Sequence, residues 1–208
     1  MFVRDFMTRN PVTLRPESDP LAGIALCKSG RFRHLPVVDT EGCVVGVVSR
    51  AELELFLAEA ESPGVIRRQY RVDHLNVCQI PPVQPDVPLE EAAQMMVESK
   101  TTCLPVVADG KLVGVVTETD MLHALLEVLS GQQKGIRLTA LVPYVKGSLA
   151  VISTAVAEAG AIILSLNIFK GTDPSNWGCT LKARDISQEQ LIEAVEPWVE
   201  EILDVREI

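Results

Sequence analysis

The chain has 208 residues, 47% apolar and 23% charged, a balance that excludes a disordered tail or stapled miniprotein and leaves room for one large domain or two modest ones. Nineteen basic against 28 acidic residues give a net charge of -9, which repels polyanions and argues against general nucleic-acid binding. The five cysteines, Cys27, Cys43, Cys78, Cys103 and Cys179, are odd in number and form no C-x-x-C pair. They read as buried thiols of a reducing cytoplasm, and the run Met1 to Met7 lacks the basic and long apolar regions of a secretory leader.

The sequence contains itself twice. Leu35-Pro36-Val37-Val38, Gly42 and Val45-Gly46-Val47-Val48 return as Leu104-Pro105-Val106-Val107, Gly110 and Val113-Gly114-Val115-Val116, 68 or 69 residues later. Each copy reads in one order: an extended lead-in (Val12 to Leu14; Val83), a helix after Pro20-Leu21 or Pro88-Leu89, a hairpin turning at Gly42 or Asp109-Gly110, and a closing helix. In the second copy Ala92, Ala93, Met96 and Val97 are spaced for one buried helix face. The Val-rich runs are too short for helices, and the turn residues suit positive φ. A lone hairpin cannot bury itself, so the two copies are expected to pack into one body. Between them lies Ser62 to Tyr70, a linker with Pro63-Gly64 and the basic residues Arg67, Arg68 and Arg71, read as a solvated surface.

Each second strand ends in a turn with one chemistry: Gly46-Val47-Val48-Ser49-Arg50-Ala51-Glu52, and Gly114-Val115-Val116-Thr117-Glu118-Thr119-Asp120. A hydroxyl follows the glycine by three residues and a carboxylate by six. Such a strand-to-helix turn directs helix N–H groups and a hydroxyl at one place, which suits phosphate, while the acid can accept two ribose hydroxyls. The same spacing also makes a helix capping box, and that reading stays open.

These residues carry a resemblance. The G-h-h-S/T-x-x-D turns and the Leu-Pro-Val-Val strands resemble a tandem pair of CBS domains, the Bateman module, from Val3 to about Leu129. The resemblance implies modules at 1–60 and 72–130, with adenosyl ligands such as AMP, ADP, ATP or S-adenosylmethionine held in clefts between them and no obligatory cofactor. Carried over by position, one cleft uses Val83, Cys103, Leu104, Pro105, Thr117 and Asp120. The other uses Thr13, His34, Leu35, Pro36, Ser49 and Glu52, where Glu52 replaces the family's aspartate and its extra methylene loosens a two-point ribose contact.

After a linker at Ser130 to Gly135 a new pattern begins. Leu149 to Phe169 is long and apolar enough for a membrane check, but Glu158, Gly160 and Asn167 favour a helix, Ser148 to Ala159, then a strand, Ala161 to Phe169. Strands at Ile136 to Val142, Cys179 to Arg184 and Ile202 to Glu207, a loop at Gly171 to Gly178, and a helix from Ser187 to Val199 complete the order βαββαβ. The expected fold is α+β, with no membrane span.

Residues 136–208 resemble an ACT domain, a ferredoxin-like unit, through the turn Tyr144-Val145-Lys146-Gly147-Ser148-Leu149. The resemblance implies amino-acid binding at Val145, Lys146, Gly147, Ser148 and Leu149, although Ile162 stands where the family commonly has Asn. Sheet-edge pairing is the competing role. The order CBS, CBS, ACT is similar to the acetoin-utilisation protein B type, which implies a link to acetoin catabolism that no residue here carries.

No nucleophile with its base, metal cage or P-loop is legible; His34, His74 and His123 are scattered. The sequence reads as a non-catalytic, ligand-sensing homodimer acting on an unidentified regulated protein. Its rival is a dimerisation scaffold or accessory factor with vestigial clefts.

Overall fold

A computed structural model of the chain describes residues 1–60, 70–75 and 80–208. Pro63-Gly64, Arg67, Arg68 and Cys78 lie outside the described residues. The chain divides into two compact units, Met1–Leu122 and His123–Ile208.

In the first unit the repeat becomes two hairpins of matching register. After helix α1 (Val3–Phe6) and strand β1 (Thr8–Arg9), the first copy runs α2 (Pro20–Gly30), β2 (His34–Val38), β3 (Val44–Ser49) and α3 (Arg50–Ala60). The second runs α4 (Leu89–Ser99), β4 (Cys103–Ala108), β5 (Lys111–Thr117) and α5 (Glu118–Val128). His34 faces Ser49 and Val37 faces Gly46 before a bulge; Cys103 faces Thr117 and Val106 faces Gly114 before the equivalent bulge. The turns adopt the expected positive φ at Gly42, Asp109 and Gly110. Each lead-in bridges its own hairpin in parallel, Leu14 to Val37 and Val83 to Val106. In α4 the buried stripe is Leu89, Ala92 and Met96. Val97, expected on that face, is 78% exposed, because one residue beyond Met96 lies about 100° around the helix.

The segments that precede the copies are exchanged. Val3 N and Arg4 N donate to Val87 O and Pro85 O, and β1 pairs with β5, so the first nine residues complete the second copy. A 3₁₀ turn, Val72–His74, repeats the contact 69 residues later: Val72 N and Asp73 N donate to Ser18 O and Pro16 O. Val3 and Val72 are both fully buried, and Val72 joins the first copy's core with Leu14, Leu35, Val48 and Leu53. The motif glycine of the second copy has its reason here, since a Cβ on Gly114 would sit 2.9 Å from Thr8 O.

The second unit follows the expected βαββαβ order: β6 (Ile136–Pro143), α6 (Ser148–Glu158), β7 (Ile162–Lys170), β8 (Asn176–Arg184), α7 (Gln188–Val195) and β9 (Glu201–Glu207). The strands form one antiparallel sheet ordered β7-β8-β6-β9, a split-βαβ arrangement. Gly160, at φ +83, separates α6 from β7 as expected, and no helix among the described residues is long and apolar enough to cross a membrane. The Ser187–Gln190 capping box forms through both of its bonds. Helix α7 stops at Val195, four residues before the expected end, and gives way to a 3₁₀ turn, Glu196–Trp198, containing Pro197. Ile152 and Val156 of α6 and Leu191 and Val195 of α7 share one core with Leu138, Ala140 and Leu181 of the sheet.

The opposite sheet face holds the end of α5. The carbonyls of Val128, Leu129 and Ser130 accept hydrogen bonds from Asn167 Nδ2 (3.5 Å), Ser165 Oγ (3.4 Å) and Lys182 Nζ (3.0 Å). The stretch expected as a linker is therefore built into this unit: Ser130 is buried, and Gly135 exchanges two backbone hydrogen bonds with Ile208.

Because Val3 and Val72 fill equivalent positions in opposite copies, Val3→Ala and Val72→Ala should each destabilise the protein by about 2 kcal/mol. Urea unfolding checks this, and a loss confined to one variant would contradict the exchange.

Candidate functional site

A cavity of about 490 Å³ opens in the first unit where Thr117 ends β5 and Asp120 enters the first turn of α5. Cys103, paired across the hairpin with Thr117, backs its floor. Val12, Val115, Phe32 and Pro11 supply apolar wall; Thr8, Asn10 and Thr119 supply polar groups; Arg31 and Arg33 bring positive charge. The exchanged lead-in explains why Thr8 and Asn10 stand beside second-copy residues.

The two hydroxyl–carboxylate pairs behave differently. Ser49 N donates to Glu52 Oε2 (2.6 Å) and Glu52 N to Ser49 Oγ (3.2 Å), a complete capping box in which the acid serves its own helix. In the second copy both Thr117 N and Thr117 Oγ1 donate to the same oxygen, Asp120 Oδ2, each at 2.7 Å. The Thr117 hydroxyl is thus a donor to the carboxylate and not a cap. Among the described residues Asp120 Oδ1 accepts no hydrogen bond, which leaves an acceptor on a residue lining the cavity.

Of the residues expected for the second cleft, Cys103, Thr117 and Asp120 line this cavity. Val83 and Leu104 are core residues at 3% and 0% exposure, and the Pro105 carbonyl is occupied by Val83 N. Of the first-cleft set, His34 lies on this same cavity, while Thr13, Leu35, Pro36, Ser49 and Glu52 do not. Leu35 is fully buried and the Pro36 carbonyl accepts from Leu14 N. Sequence reasoning missed Thr8, Asn10, Arg31, Phe32 and Arg33. A signal existed for three of them: the repeat places Arg31-Phe32-Arg33 opposite Lys100-Thr101-Thr102, one of the points at which the copies diverge in charge.

Burial governs the titrating groups. His34 Nε2 lies 2.9 Å from Thr102 Oγ1. Desolvation, helped by the Arg33 charge, holds its pKa below the ordinary imidazole value against the pull of Glu52 and Glu118. Desolvation, with Asp120 adding to it, pushes the Cys103 thiol up to about 12. A thiol at that value is no nucleophile. Among the described residues no three His, Cys, Asp or Glu side chains gather as a metal site.

The CBS-domain family model matches residues 3–59 and 72–127, more than half of the chain, and the chain belongs to that family. An A-adding tRNA nucleotidyltransferase of Aquifex aeolicus is 30% identical over 131 residues, 61% of this chain and 15% of the enzyme. The chain therefore spans only a small part of that relative. Among solved structures, a Vibrio cholerae protein assigned to acetoin utilization (AcuB) is 29% identical, with a TM-score of 0.56 over 64% of this chain and 96% of that one. CBSX2, an Arabidopsis thaliana protein, in complex with AMP is 34% identical, with a TM-score of 0.52 over 61% of this chain and 97% of that one.

In the second unit, Val145, Gly147, Ser148 and Leu149 line a smaller cavity of about 240 Å³, and Lys146 does not. Gly147 takes φ +92 at the start of α6, a conformation that favours glycine. Ser148 Oγ is engaged by the Pro143 and Val145 carbonyls at 2.7 and 3.0 Å. The wall is otherwise apolar, with Tyr144 edge-on to Trp177 at 5.0 Å. Ile162, where a polar anchor was sought, is 46% exposed on β7.

The expectation of buried thiols holds for Cys27, Cys103 and Cys179, whereas Cys43 is only half-buried. Burial also raises the Cys27 and Cys179 thiols, the latter to about 11. Alkylation of the native protein at pH 8, followed by peptide mass mapping, should mark Cys43 and spare these three. Rapid labelling of Cys103 would contradict its enclosure.

Proposed function

We propose that this chain is a non-catalytic regulatory protein that senses an adenosyl ligand, AMP, ADP, ATP or S-adenosylmethionine, in the cavity at Thr117 and Asp120. The observation that carries this reading is Asp120, whose Oδ2 is fixed by Thr117 while Oδ1 is left as an acceptor for ribose hydroxyls beside an apolar wall suited to a base. The AMP complex of CBSX2, at 34% identity, supports it. The Ser49–Glu52 turn is better read as a helix cap, which leaves one working cleft among the described residues.

A ligand that binds only the native state must raise the melting temperature. At a hundredfold excess over Kd, on the order of 5–10 °C is expected from one of these compounds, and Asp120→Ala should abolish the shift. If none of the four moves the transition, the scaffold reading takes its place. That reading draws on an apolar groove of about 510 Å³ along α4 and the start of α5, lined by Met96, Val97, Met121 and Leu122, where Val97 and Leu122 are 78% and 60% exposed. Both readings make the protein a homodimer, and sedimentation showing only a 22.7 kDa species would refute that.

The βαββαβ unit at 136–208 fits an ACT domain. Among the described residues the cavity at its Gly147 turn is lined by no charged side chain, and Ser148 Oγ is engaged by backbone carbonyls, so pairing through the edge strands β7 and β9 is its better role than amino-acid binding. Both tryptophans, Trp177 and Trp198, belong to this unit. If ligand occupancy is passed to it, intrinsic tryptophan emission should change on nucleotide addition and stay unchanged in Asp120→Ala. Saturable binding without any emission change would leave the C-terminal unit out of the response. A role in acetoin catabolism is supported only by the likeness to the Vibrio cholerae protein.

A further inference from the structure

We propose that the helices of the C-terminal unit form a docking surface for a basic amphipathic helix of a partner protein, seated in the groove between α6 and α7. Nothing in this depends on the adenosyl reading, since every residue involved belongs to the unit His123–Ile208.

The groove has a volume of about 410 Å³, and Ala155, Ala159 and Ala194 line it beside Glu158, Glu193 and Trp198. Alanines at these positions let the ridge of a third helix approach closely. Trp198, 45% exposed, adds apolar area and a ring face that attracts a cation. The helices around the groove carry one sign of charge. Residues 148–159 and 187–198 contain Glu158, Glu189, Glu193 and Glu196, all exposed, and no lysine or arginine.

Two of these acids work against their own helices. Glu158 ends α6 and Glu193 lies in the last turn of α7, where the helix dipole favours a cation, and neither last turn has a basic residue. Among the described residues neither carboxylate makes a hydrogen bond or an ion pair. Both therefore repel the carbonyl ends beneath them without return inside the fold, and a lysine or arginine arriving from outside relieves that repulsion. A second copy of this chain cannot supply it, because no helix among the described residues carries more than one lysine or arginine. Pairing through the edges β7 and β9 uses the sheet and leaves these helices uncovered. The chemistry that fits is an apolar helical stripe flanked by several basic residues on a different protein.

Calorimetry on the full chain tests this with a synthetic helical peptide whose alanine-leucine stripe is flanked by lysine and arginine, and with its counterpart flanked by glutamate. The basic peptide should bind saturably and the glutamate peptide should not. Glu158→Gln/Glu193→Gln should weaken the basic peptide at least about tenfold, equivalent to about 1.4 kcal/mol, and Ala155→Phe, which fills the groove, should weaken it too. Glu90→Gln/Glu91→Gln, the same charge change on exposed residues of α4, should leave affinity within about twofold. The melting temperature of Glu158→Gln/Glu193→Gln should match or exceed that of the natural chain, as the dipole argument requires, and so shows the variant folded. Absence of binding, equal weakening by the α4 variant, or equal binding of the glutamate peptide overturns the proposal. So does Trp198 emission, read in Trp177→Phe, that changes with protein concentration alone, since the occupant is then a second copy. None of these outcomes touches the adenosyl reading, because no nucleotide is present.

Discussion

A two-stranded hairpin with one apolar side has no stable existence in water, and the first unit is organised around that deficit. Each hairpin gains a parallel bridge from its own lead-in, at Leu14 or Val83, and is closed by a segment belonging to the other copy, anchored at Val72 or Val3. Because each anchor is fully buried in the opposite copy, neither copy is finished without the chain that precedes its sibling. Duplication and exchange are therefore one solution to one problem, and the cavity is a by-product of it. Thr8 and Asn10 reach Thr117 only because β1 is donated across the pair.

Near symmetry makes the departures from it informative. Both copies keep the glycine, the hydroxyl and the carboxylate, but one extra methylene lets Glu52 fold back into a capping box with Ser49. Asp120 is too short to close that box in the same way and instead collects both donors of Thr117 on one oxygen. Among the described residues each acid keeps one oxygen without a hydrogen bond, Glu52 Oε1 and Asp120 Oδ1, but Asp120 lines the cavity and Glu52 does not.

Much of this was readable in the residues. The hairpins, their turns at Gly42 and Asp109-Gly110, the split-βαβ order and the helix stop at Gly160 follow from period, turn chemistry and capping, all of which act over a few residues. What escaped prediction acts over distance. The exchange of Val3 and Val72 leaves no local mark, because a buried valine near a chain start looks the same whichever core it enters. Leu35, Leu104 and Val83 came by position along the strands: alternation points their side chains into the core, and the cavity takes Cys103, Thr117 and His34 at the strand ends. The arginines flanking Phe32 were legible only as a mismatch between the copies.

The divide between the units also has a physical cause. Lys182 is 2% exposed on the sheet, and no carboxylate among the described residues pairs with it; a buried ammonium of this kind needs compensation. It is supplied by the Ser130 carbonyl just past the end of α5, where a helix concentrates its partial negative charge. Asn167 and Ser165 hold the two preceding carbonyls, so two helix-end acceptors and one stranded cation are settled in a single arrangement. Residues 123–130 are thereby tied to the C-terminal sheet by polar necessity, although the repeat pattern assigns α5 to the second copy.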